Sequence, residues 1–287
     1  TDFAAMREAG AGALSDDGLP VANASVMRTA LSCAADLGMV IFDHCEDLSL
    51  TGAGVMHDGP HCQRLGLPGI PRSSESAVVA RDCALALETG GRLHVCHVST
   101  IDSIEAVRHF KSRGAPVTAE VSPHHLLFTD ERVGRFDTSA KMKPPLCEER
   151  DRLALVEALE DGTIDCIATD HAPHAPDRKT QPFEAAPFGI IGMETAFASL
   201  YSSFVASGRW TLGFLIEKMT TAPAGVVCEP WGTLALGTTA DIALLRLDDP
   251  WTLGTEDLGS KSVNCPWLDA RFLARVDRLF VGGRETR

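Results

Sequence analysis

The amino-acid sequence predicts an α/β fold built on a parallel sheet that curves into a barrel. Between residues 11 and 169, short apolar segments near positions 11, 40, 93, 117 and 164 alternate with helical patterns. This alternation is typical of a parallel sheet with right-handed crossovers. Each apolar segment also ends in polar, titratable residues. Titratable residues at the same end of every strand favour a closed barrel, because an open sheet would concentrate its functional residues at a single switch point.

Composition and charge narrow the class of protein. The chain has 287 residues, of which 45% are hydrophobic and 23% charged, enough for one large globular domain or one domain with an appendage. The net charge is −13, without a cluster of Lys or Arg, which argues against nucleic acid and anionic membranes as partners. No apolar run approaches ~20 residues, so no membrane span is expected.

The cysteines indicate a reducing compartment. There are nine of them, an odd number, and no Cys-x-x-Cys pair occurs. We therefore expect free thiols in a cytoplasmic protein and no zinc site built from cysteines. Five of the cysteines lie in apolar segments and are expected to be buried: Cys33, Cys45, Cys83, Cys96 and Cys166.

Hydrophobic periodicity places the helices and one long loop. Predicted helices span 1–10, 25–38, 75–89, 101–113, 148–160, 195–206 and 212–219. In the second helix we expect Val26, Ala30, Cys33 and Leu37 to face the core. Residues 48–74 are rich in Gly and Pro and predict a long loop, whose histidines and cysteine are either ligands or ordinary surface groups. Those three residues are His57, His61 and Cys62.

The most informative segment runs from Ile164 to His174. Residues 164–169 predict a buried strand, and Asp170, His171 and His174 follow within five positions. A barrel delivers catalytic groups to its rim in this way. A loop Asp that caps a helix beside two solvated histidines is the alternative for this segment alone.

Similar residues follow three other predicted strands. Asp16 and Asp17 form either a turn or a metal-bridging carboxylate, and His44 comes directly after the strand at 40–42. In the strand beginning at Arg92, alternation places His94 and His97 on opposite faces. His97 is nearer the carboxyl end and is the better ligand candidate, whereas His94 is expected to be packed or hydrogen-bonded.

These strand ends predict a metal centre. Asp17, His44, His97 and Asp170 lie just past four strands, and a barrel brings such ends to one rim. Two imidazoles and two carboxylates suit Zn²⁺ or a similar divalent ion, which activates water for attack on an amide or ester carbon. Asp170 is placed to accept a proton and return it to the leaving nitrogen.

Five motifs, taken in order, resemble the dihydroorotase family of the amidohydrolase superfamily. They cover nearly the whole chain, together with a Gly-Thr-Leu-x-x-Gly-x-x-Ala-Asp pattern that ends at Asp241. The Asp-His-Ala-Pro-His and Pro-His-His forms favour dihydroorotase over hydantoinase and allantoinase relatives. The motifs occupy residues 15–21, 43–47, 97–100, 120–127 and 169–174.

The resemblance implies a (β/α)8 TIM-like barrel, incomplete here with about five βα units, in residues 1–228. Residues 229–287 would belong to a small β-sandwich. The implied reaction is reversible closure of N-carbamoyl-L-aspartate to L-dihydroorotate in pyrimidine synthesis. The implied metal is zinc, as one or two ions.

Site roles carry over motif by motif. Asp17 would bridge the metals, His44 and His97 would bind one ion, and Asp170 would bind the other and act as the acid/base. The expected substrate contacts are the side chain of His174, the backbone at Phe188 and Gly189, and Lys143.

Two departures from the family pattern stand out. The His-x-His-x-Arg of the first barrel strand is absent, so we expect about three βα units to be missing and the chain alone to be a poor catalyst. Lys143 stands where the family commonly has Asn, and it either pairs with a carboxylate or points to solvent. Cys147 replaces the family's Arg and is expected to be structural.

Expectations for the remaining segments and partners complete the hypothesis. Residues 182–193 predict a loop flexible enough to close over a ligand, and the tail after residue 228 predicts a β unit without site chemistry. Expected partners are the small-molecule substrate and further copies of the chain, with aspartate transcarbamoylase as an additional candidate. The alternatives are a non-catalytic scaffold for aspartate transcarbamoylase and a hydantoinase- or allantoinase-type cyclic amidase.

Overall fold

The computed structural model describes residues 1–16 and 18–286. The strands are β1 Ala13–Ser15, β2 Val40–Asp43, β3 Met56–His57, β4 Gly69–Ile70, β5 Arg92–Val95, β6 Val117–Val121, β7 Cys166–Ile167, β8 Ile242–Arg246, β9 Trp251–Thr252, β10 Arg271–Phe272, β11 Arg275–Val281 and β12 Arg284–Thr286.

The α-helices are α1 Phe3–Glu8, α2 Ala24–Asp36, α3 Leu48–Thr51, α4 Pro60–Leu65, α5 Ser73–Thr89, α6 Ile101–Ser112, α7 Pro123–Leu127, α8 Glu149–Asp161, α9 Pro176–Lys179, α10 Ala196–Leu200, α11 Leu212–Met219 and α12 Thr221–Val226. A π-helical turn, Tyr201–Val205, continues α10. In the described part of the chain, no helix has the length and apolar character needed to cross a bilayer.

The main sheet confirms the predicted α/β alternation. Its five strands are parallel and run in the order β1-β2-β5-β6-β7, each joined to the next by a segment that contains helices. The strand predicted over residues 164–169 pairs regularly only at β7. Backbone hydrogen bonds from Asp165 to Ala119 and from Ala168 to Val121 extend that pairing by one residue on each side.

One face of the sheet forms the core with the helices. Leu93, Val95 and Ala119 point to this face and are fully buried against residues of α5, α6 and α8. On such a pleated sheet the alternate residues point to the opposite face. His94 and Glu120 therefore lie away from the helical layer.

The predicted inward face of α2 is wrong in part: Ala30 and Leu37 pack against the core, but Val26 and Cys33 do not. Met27, Leu31 and Ala34 are the buried residues, whereas Val26 is 55% exposed and Cys33 is also exposed. The helix carries two adjacent apolar stripes, and periodicity alone does not say which stripe meets the sheet. The prediction that Cys33 is buried is wrong for the same reason.

The segment from 48 to 74 is not the irregular loop that its composition predicts. It forms α3, α4 and a two-stranded parallel sheet of β3 and β4. Asp47 caps α3 by accepting hydrogen bonds from the amides of Ser49 and Leu50. His57 is 1% exposed and Cys62 is buried, so neither residue is an ordinary surface group.

The tail differs in part from its prediction. Residues 221–226 form α12, and the first strand after residue 228 is β8, which begins at Ile242. β8, β11 and β12 form a three-stranded antiparallel sheet, and β9 pairs with β10. The β unit predicted for the tail is therefore present, although it begins later than expected.

A close contact between α2 and β5 predicts a strict requirement for glycine at position 91. A β-carbon there would lie 2.5 Å from the carbonyl oxygen of Leu31 and 2.8 Å from its Cβ. We expect Gly91→Ala to destabilise the protein by about 1–3 kcal/mol, because helix and strand must move apart. Urea unfolding measures this change.

Gly225→Ala is the matched control. Gly225 is exposed and lies in α12, and a β-carbon added there would meet no atom within 4 Å. Replacement there should leave stability unchanged or raise it slightly. Equal midpoints for the parent and the Gly91→Ala variant would contradict the proposed contact.

Candidate functional site

The strand register brings His44 and His97 together. β2 and β5 are neighbours with Asp43 opposite Val95, and the two histidines follow these strand ends by one and two residues. Their rings lie 4.8 Å apart, and Nδ1 of His44 is 2.9 Å from Nε2 of His97. Two predicted ligands that are 53 residues apart in sequence thus face each other at the rim of the sheet.

Two predicted site residues have unusual backbone conformations. His97 has φ 36° and Asp170 has φ 46°, both in the left-handed region that non-glycine residues rarely adopt. Such conformations concentrate at functional sites, where the surrounding structure holds a side chain in a required direction. Asp170 follows β7 and is half-buried. The predicted bridging ligand Asp17 lies outside the described residues.

Glu46 is part of this site and was missed by the sequence argument. One of its carboxylate oxygens lies 3.1 Å from Nε2 of His44, and the other accepts from Thr51 at 2.7 Å and from Lys143 at 2.8 Å. Burial alone would raise the pKa of Glu46, but hydrogen bonds from His44, Lys143 and Thr51 lower it to about 2. The available signal was its place two residues after His44 in the same polar segment.

The pair His44–His97 fits a divalent cation. Two buried imidazole nitrogens aimed at one point are typical zinc donors, and a carboxylate on the remaining nitrogen of a ligating histidine fixes its orientation. Glu46 occupies that position on His44. Asp170 does not belong to a group of three ligand atoms within 4.8 Å of one another among the described residues; the groups found there are His94–Glu120–Cys166 and Asp43–Cys45–Asp82.

Lys143 settles one of the alternatives left open by the sequence. Its ammonium pairs with Glu46 and lies 4.8 Å from the centre of the Phe188 ring, so it does not point freely to solvent. Cys147 is buried and donates to the carbonyl of Pro145, as expected of a structural residue.

Three of the four predicted substrate residues, His174, Phe188 and Gly189, lie together in the segment that follows β7. Nε2 of His174 is 2.6 Å from the carbonyl oxygen of Phe188. Gly189 has φ +123°, and a β-carbon there would lie 2.7 Å from Cβ of Ala172 and 2.8 Å from Nε2 of His174. Only glycine fits this position, because any side chain would push the histidine away.

Asn264 contradicts the expectation that the tail carries no site chemistry. Its side-chain amide donates to the carbonyls of Ala172 and Gly189, and its oxygen accepts from the amide of His174 at 3.4 Å. Its backbone carbonyl accepts from Ile191. The tail thus fixes the segment that carries His174, and no sequence pattern signalled this long-range contact.

Two buried lysines hold the loop at 182–193 in place. Lys141 donates to the carbonyls of Phe183, Glu184 and Ala186, and Lys179 donates to those of Pro187 and Gly189. Burial lowers the pKa of each lysine to about 8. Ile190 and Ile191 are fully buried. These contacts hold the loop in one arrangement in this structure, and its closure over a ligand stays a prediction.

Two further histidines lie buried beneath the rim. His125 accepts or donates at both ring nitrogens, with Ser122 at 2.7 Å and the carbonyl of Pro144 at 3.0 Å. Burial, together with the charge on His97, lowers the pKa of His125 to about 3. Burial likewise holds the pKa of His124 well below its usual value.

These histidines predict loss of stability in acid. An unfolded histidine binds its proton near pH 6.5, whereas folded His125 stays neutral down to about pH 3, so the unfolded state gains protons first as pH falls. Between about pH 6 and 4, each such histidine lowers the free energy of unfolding by up to ~1.4 kcal/mol per pH unit. His125→Gln should flatten the pH dependence of urea unfolding by this amount.

His109→Gln serves as the control for that measurement. His109 lies on the exposed side of α6, so its removal should leave the slope unchanged. The account of His125 fails if His125→Gln and the parent lose stability equally steeply between these pH values.

Comparisons with known proteins agree with this geometry. A family model described as dihydro-orotase-like matches residues 1–103. The dihydroorotases of Macrococcus caseolyticus and Listeria welshimeri are 47% and 49% identical to the chain, over 99% and 98% of its length. Each alignment covers 66% of the relative, so the chain spans just under two thirds of the length of these curated relatives.

Solved structures give the same relationship at the level of the fold. The L-hydantoinase (dihydropyrimidinase) of Arthrobacter aurescens has a TM-score of 0.84 at 25% identity, over 99% of this chain and 66% of that one. A D-hydantoinase (dihydropyrimidinase) from Thermus sp. has a TM-score of 0.82 at 24% identity, over 95% and 62%. With the predicted motifs at the strand ends and the sequence identity to curated relatives, these findings show that the chain belongs to the dihydroorotase family.

Proposed function

We propose that this chain provides the larger part of a dihydroorotase, which interconverts N-carbamoyl-L-aspartate and L-dihydroorotate in pyrimidine synthesis. The observation that carries the proposal is the 47–49% identity to dihydroorotases along nearly the whole chain. The short distance between the imidazoles of His44 and His97 also supports the proposal. The two hydantoinases share the fold at 24–25% identity. At this identity they support the fold but do not favour hydantoin over dihydroorotate as the substrate.

The proposed architecture is a (β/α)8 TIM-like barrel with a small β-sandwich. Residues 1–228 would supply about five βα units of the barrel, and 229–287 would supply strands of the sandwich. The five parallel strands and the antiparallel sheet of the tail support this division.

The proposed metal is zinc, as one or two ions, held by Asp17, His44, His97 and Asp170. When bound, it would supply a Lewis acid that polarises the ring carbonyl and activates water. Glu46 holds Nε2 of His44, so that Nδ1 of the same ring is left to face the metal.

Asp170 is the proposed general acid/base. In ring opening, its carboxylate would take the proton of the attacking water and pass it to the amide nitrogen as the C–N bond breaks. In ring closure the same steps run backwards. The left-handed backbone at Asp170 supports this role, because it fixes the direction of the side chain at the strand end.

The substrate would lie between the metal centre and the segment that carries His174. His174, held by Phe188 and Asn264, would pair with a substrate carboxylate, and the backbone at Phe188 and Gly189 would line the ring. Lys143 brings a positive charge to an otherwise acidic protein, which favours an anionic substrate.

The proposed setting is the cytoplasm, with the small-molecule substrate and a homo-oligomer as partners. Free cysteines support a reducing compartment. Aspartate transcarbamoylase remains an additional candidate partner. A purely scaffolding role is disfavoured, because a scaffold has no need of the retained ligand candidates Asp17, His44, His97 and Asp170.

A chimaera tests the activity directly. The chain replaces the aligned region of the Macrococcus caseolyticus relative, and the resulting chimaera is assayed with L-dihydroorotate and with hydantoin. We expect turnover of L-dihydroorotate in preference to hydantoin. Asp170→Asn should lower that rate by about 10²–10⁴-fold, the contribution of a general acid/base.

Asp177→Asn is the control for the loss of a carboxylate near the site, because Asp177 is exposed on α9. It should retain the parent rate. A folded chimaera that prefers hydantoin, or one that is indifferent to Asp170→Asn, contradicts the proposal.

Zinc binding tests the role of Glu46. We call the site formed by Asp17, His44, His97 and Asp170 the rim site. Zinc affinity is measured by competition with a chelating dye, and the binding that His97→Ala removes is assigned to the rim site. Glu46→Gln should weaken this site by about 10–100-fold, since outer-shell partners of ligating histidines have that effect. Glu131→Gln, an exposed carboxylate, should not change it. Unaltered affinity in Glu46→Gln would show that Glu46 does not orient His44.

A further inference from the structure

A second group of potential metal ligands lies on the face of the sheet opposite the helices. Ligand atoms of His94, Glu120 and Cys166 all lie within 4.8 Å of one another. They come from three neighbouring strands, β5, β6 and β7, with Glu120 directly opposite Cys166 in the parallel register. None of the three belongs to the proposed rim site, so this group is independent of the proposed activity.

The group lacks a cationic partner for its carboxylate. Among the described residues, no lysine or arginine forms an ion pair with Glu120, whose only such neighbour is His94 at 3.0 Å. The side chain of Glu120 is 13% exposed, while that of His94 is fully buried and Cys166 is 1% exposed. A carboxylate in such surroundings is stabilised when a positive charge lies beside it.

Hydrogen bonding orients the imidazole toward the other two ligands. Nδ1 of His94 lies 2.8 Å from the hydroxyl of Thr118, which leaves Nε2 facing Glu120. A ligating histidine usually has such a partner on its remaining nitrogen, because the partner fixes the tautomer and the direction of the ring.

The geometry points to a second divalent-cation site of the zinc class, with Nε2 of His94, the carboxylate of Glu120 and Sγ of Cys166 as ligands. One thiolate and one carboxylate neutralise the two charges of the ion, which suits a poorly solvated face of the sheet. Three protein ligands leave a fourth tetrahedral position for water. On binding, the Cys166 thiol releases its proton to solvent as the metal–sulfur bond forms.

Two further observations shape the expected behaviour of the site. Burial, together with the charge of Glu120, raises the pKa of the Cys166 thiol, so the sulfur stays protonated until a cation arrives. The sequence predicted no zinc site built from cysteines; this site needs only one, in a mixed set that has no recognisable spacing.

The sulfur ligand provides a specific readout. The 287-residue chain, purified without metal and kept reduced, is titrated with Co²⁺ while the near-ultraviolet thiolate-to-cobalt charge-transfer absorption is recorded. The rim site offers imidazoles and carboxylates only, so it contributes no such band. We expect a charge-transfer band that saturates with one equivalent of cobalt at this site and is displaced by Zn²⁺.

Variants assign the band to its ligands. Cys166→Ser should abolish it, while Cys96→Ser, which removes a half-buried thiol outside the group, and His44→Ala, which removes a rim ligand, should retain it. Thr118→Val keeps all three ligands and should weaken cobalt binding by about 10–100-fold with the band preserved. Circular dichroism and thermal unfolding of each variant check that the fold is intact.

Two results would overturn the inference. One is the absence of a thiolate band in the parent protein at saturating Co²⁺. The other is a band that survives in Cys166→Ser or disappears in Cys96→Ser. Because the readout is sulfur ligation and not turnover, a failure here leaves the proposed dihydroorotase activity untouched, and an inactive enzyme leaves this site untouched.

Discussion

The alignment of two neighbouring parallel strands is the constraint on which the rest of this structure depends. The hydrogen-bonded register of β2 and β5 sets Asp43 opposite Val95. His44 lies one residue after the end of β2, and His97 lies two residues after the end of β5. A slip of one residue in either strand would turn the side chains of that strand to the opposite face and separate the pair. The helices that bury the other face of the sheet therefore also determine the geometry of the rim.

The residues around this pair restrict it further. Glu46 binds His44 through one oxygen and is itself held by Thr51 and Lys143 through the other. In the family pattern the position of Lys143 commonly carries Asn, an uncharged residue. The substitution thus adds a charge that reaches His44 through Glu46, and it links the loop at 141–146 to the segment that follows β2.

The side of the site proposed to bind substrate is fixed by contacts of a different kind. Lys141 and Lys179 place their ammonium groups among backbone carbonyls, without a carboxylate bound to either one in the described residues. Such carbonyls would otherwise be buried without donors, which costs about 1–3 kcal/mol each. The two lysines and Asn264 thereby hold the backbone at Phe188 and Gly189 within reach of His174.

Much of the fold could be predicted from the sequence, because strand–helix alternation leaves a clear hydrophobic period. The five parallel strands, the ends of most long helices and the packed role of His94 were all correct. The face of α2 was wrong in part because two apolar stripes compete there. Short elements such as α3 and β3 lie below the length that periodicity detects, and Asn264 reaches its site across 90 residues of chain.

Zinc K-edge X-ray absorption spectroscopy tests the central claim most directly. The measurement uses the zinc-loaded Cys166→Ser variant, so that the rim site alone is observed. The account predicts at least two imidazole nitrogens and additional oxygens at about 2.0–2.2 Å from the metal, with no sulfur. His97→Ala should lower the imidazole count. A first shell without imidazole, or one unchanged by His97→Ala, would contradict the assignment of His44 and His97 as a metal-binding pair.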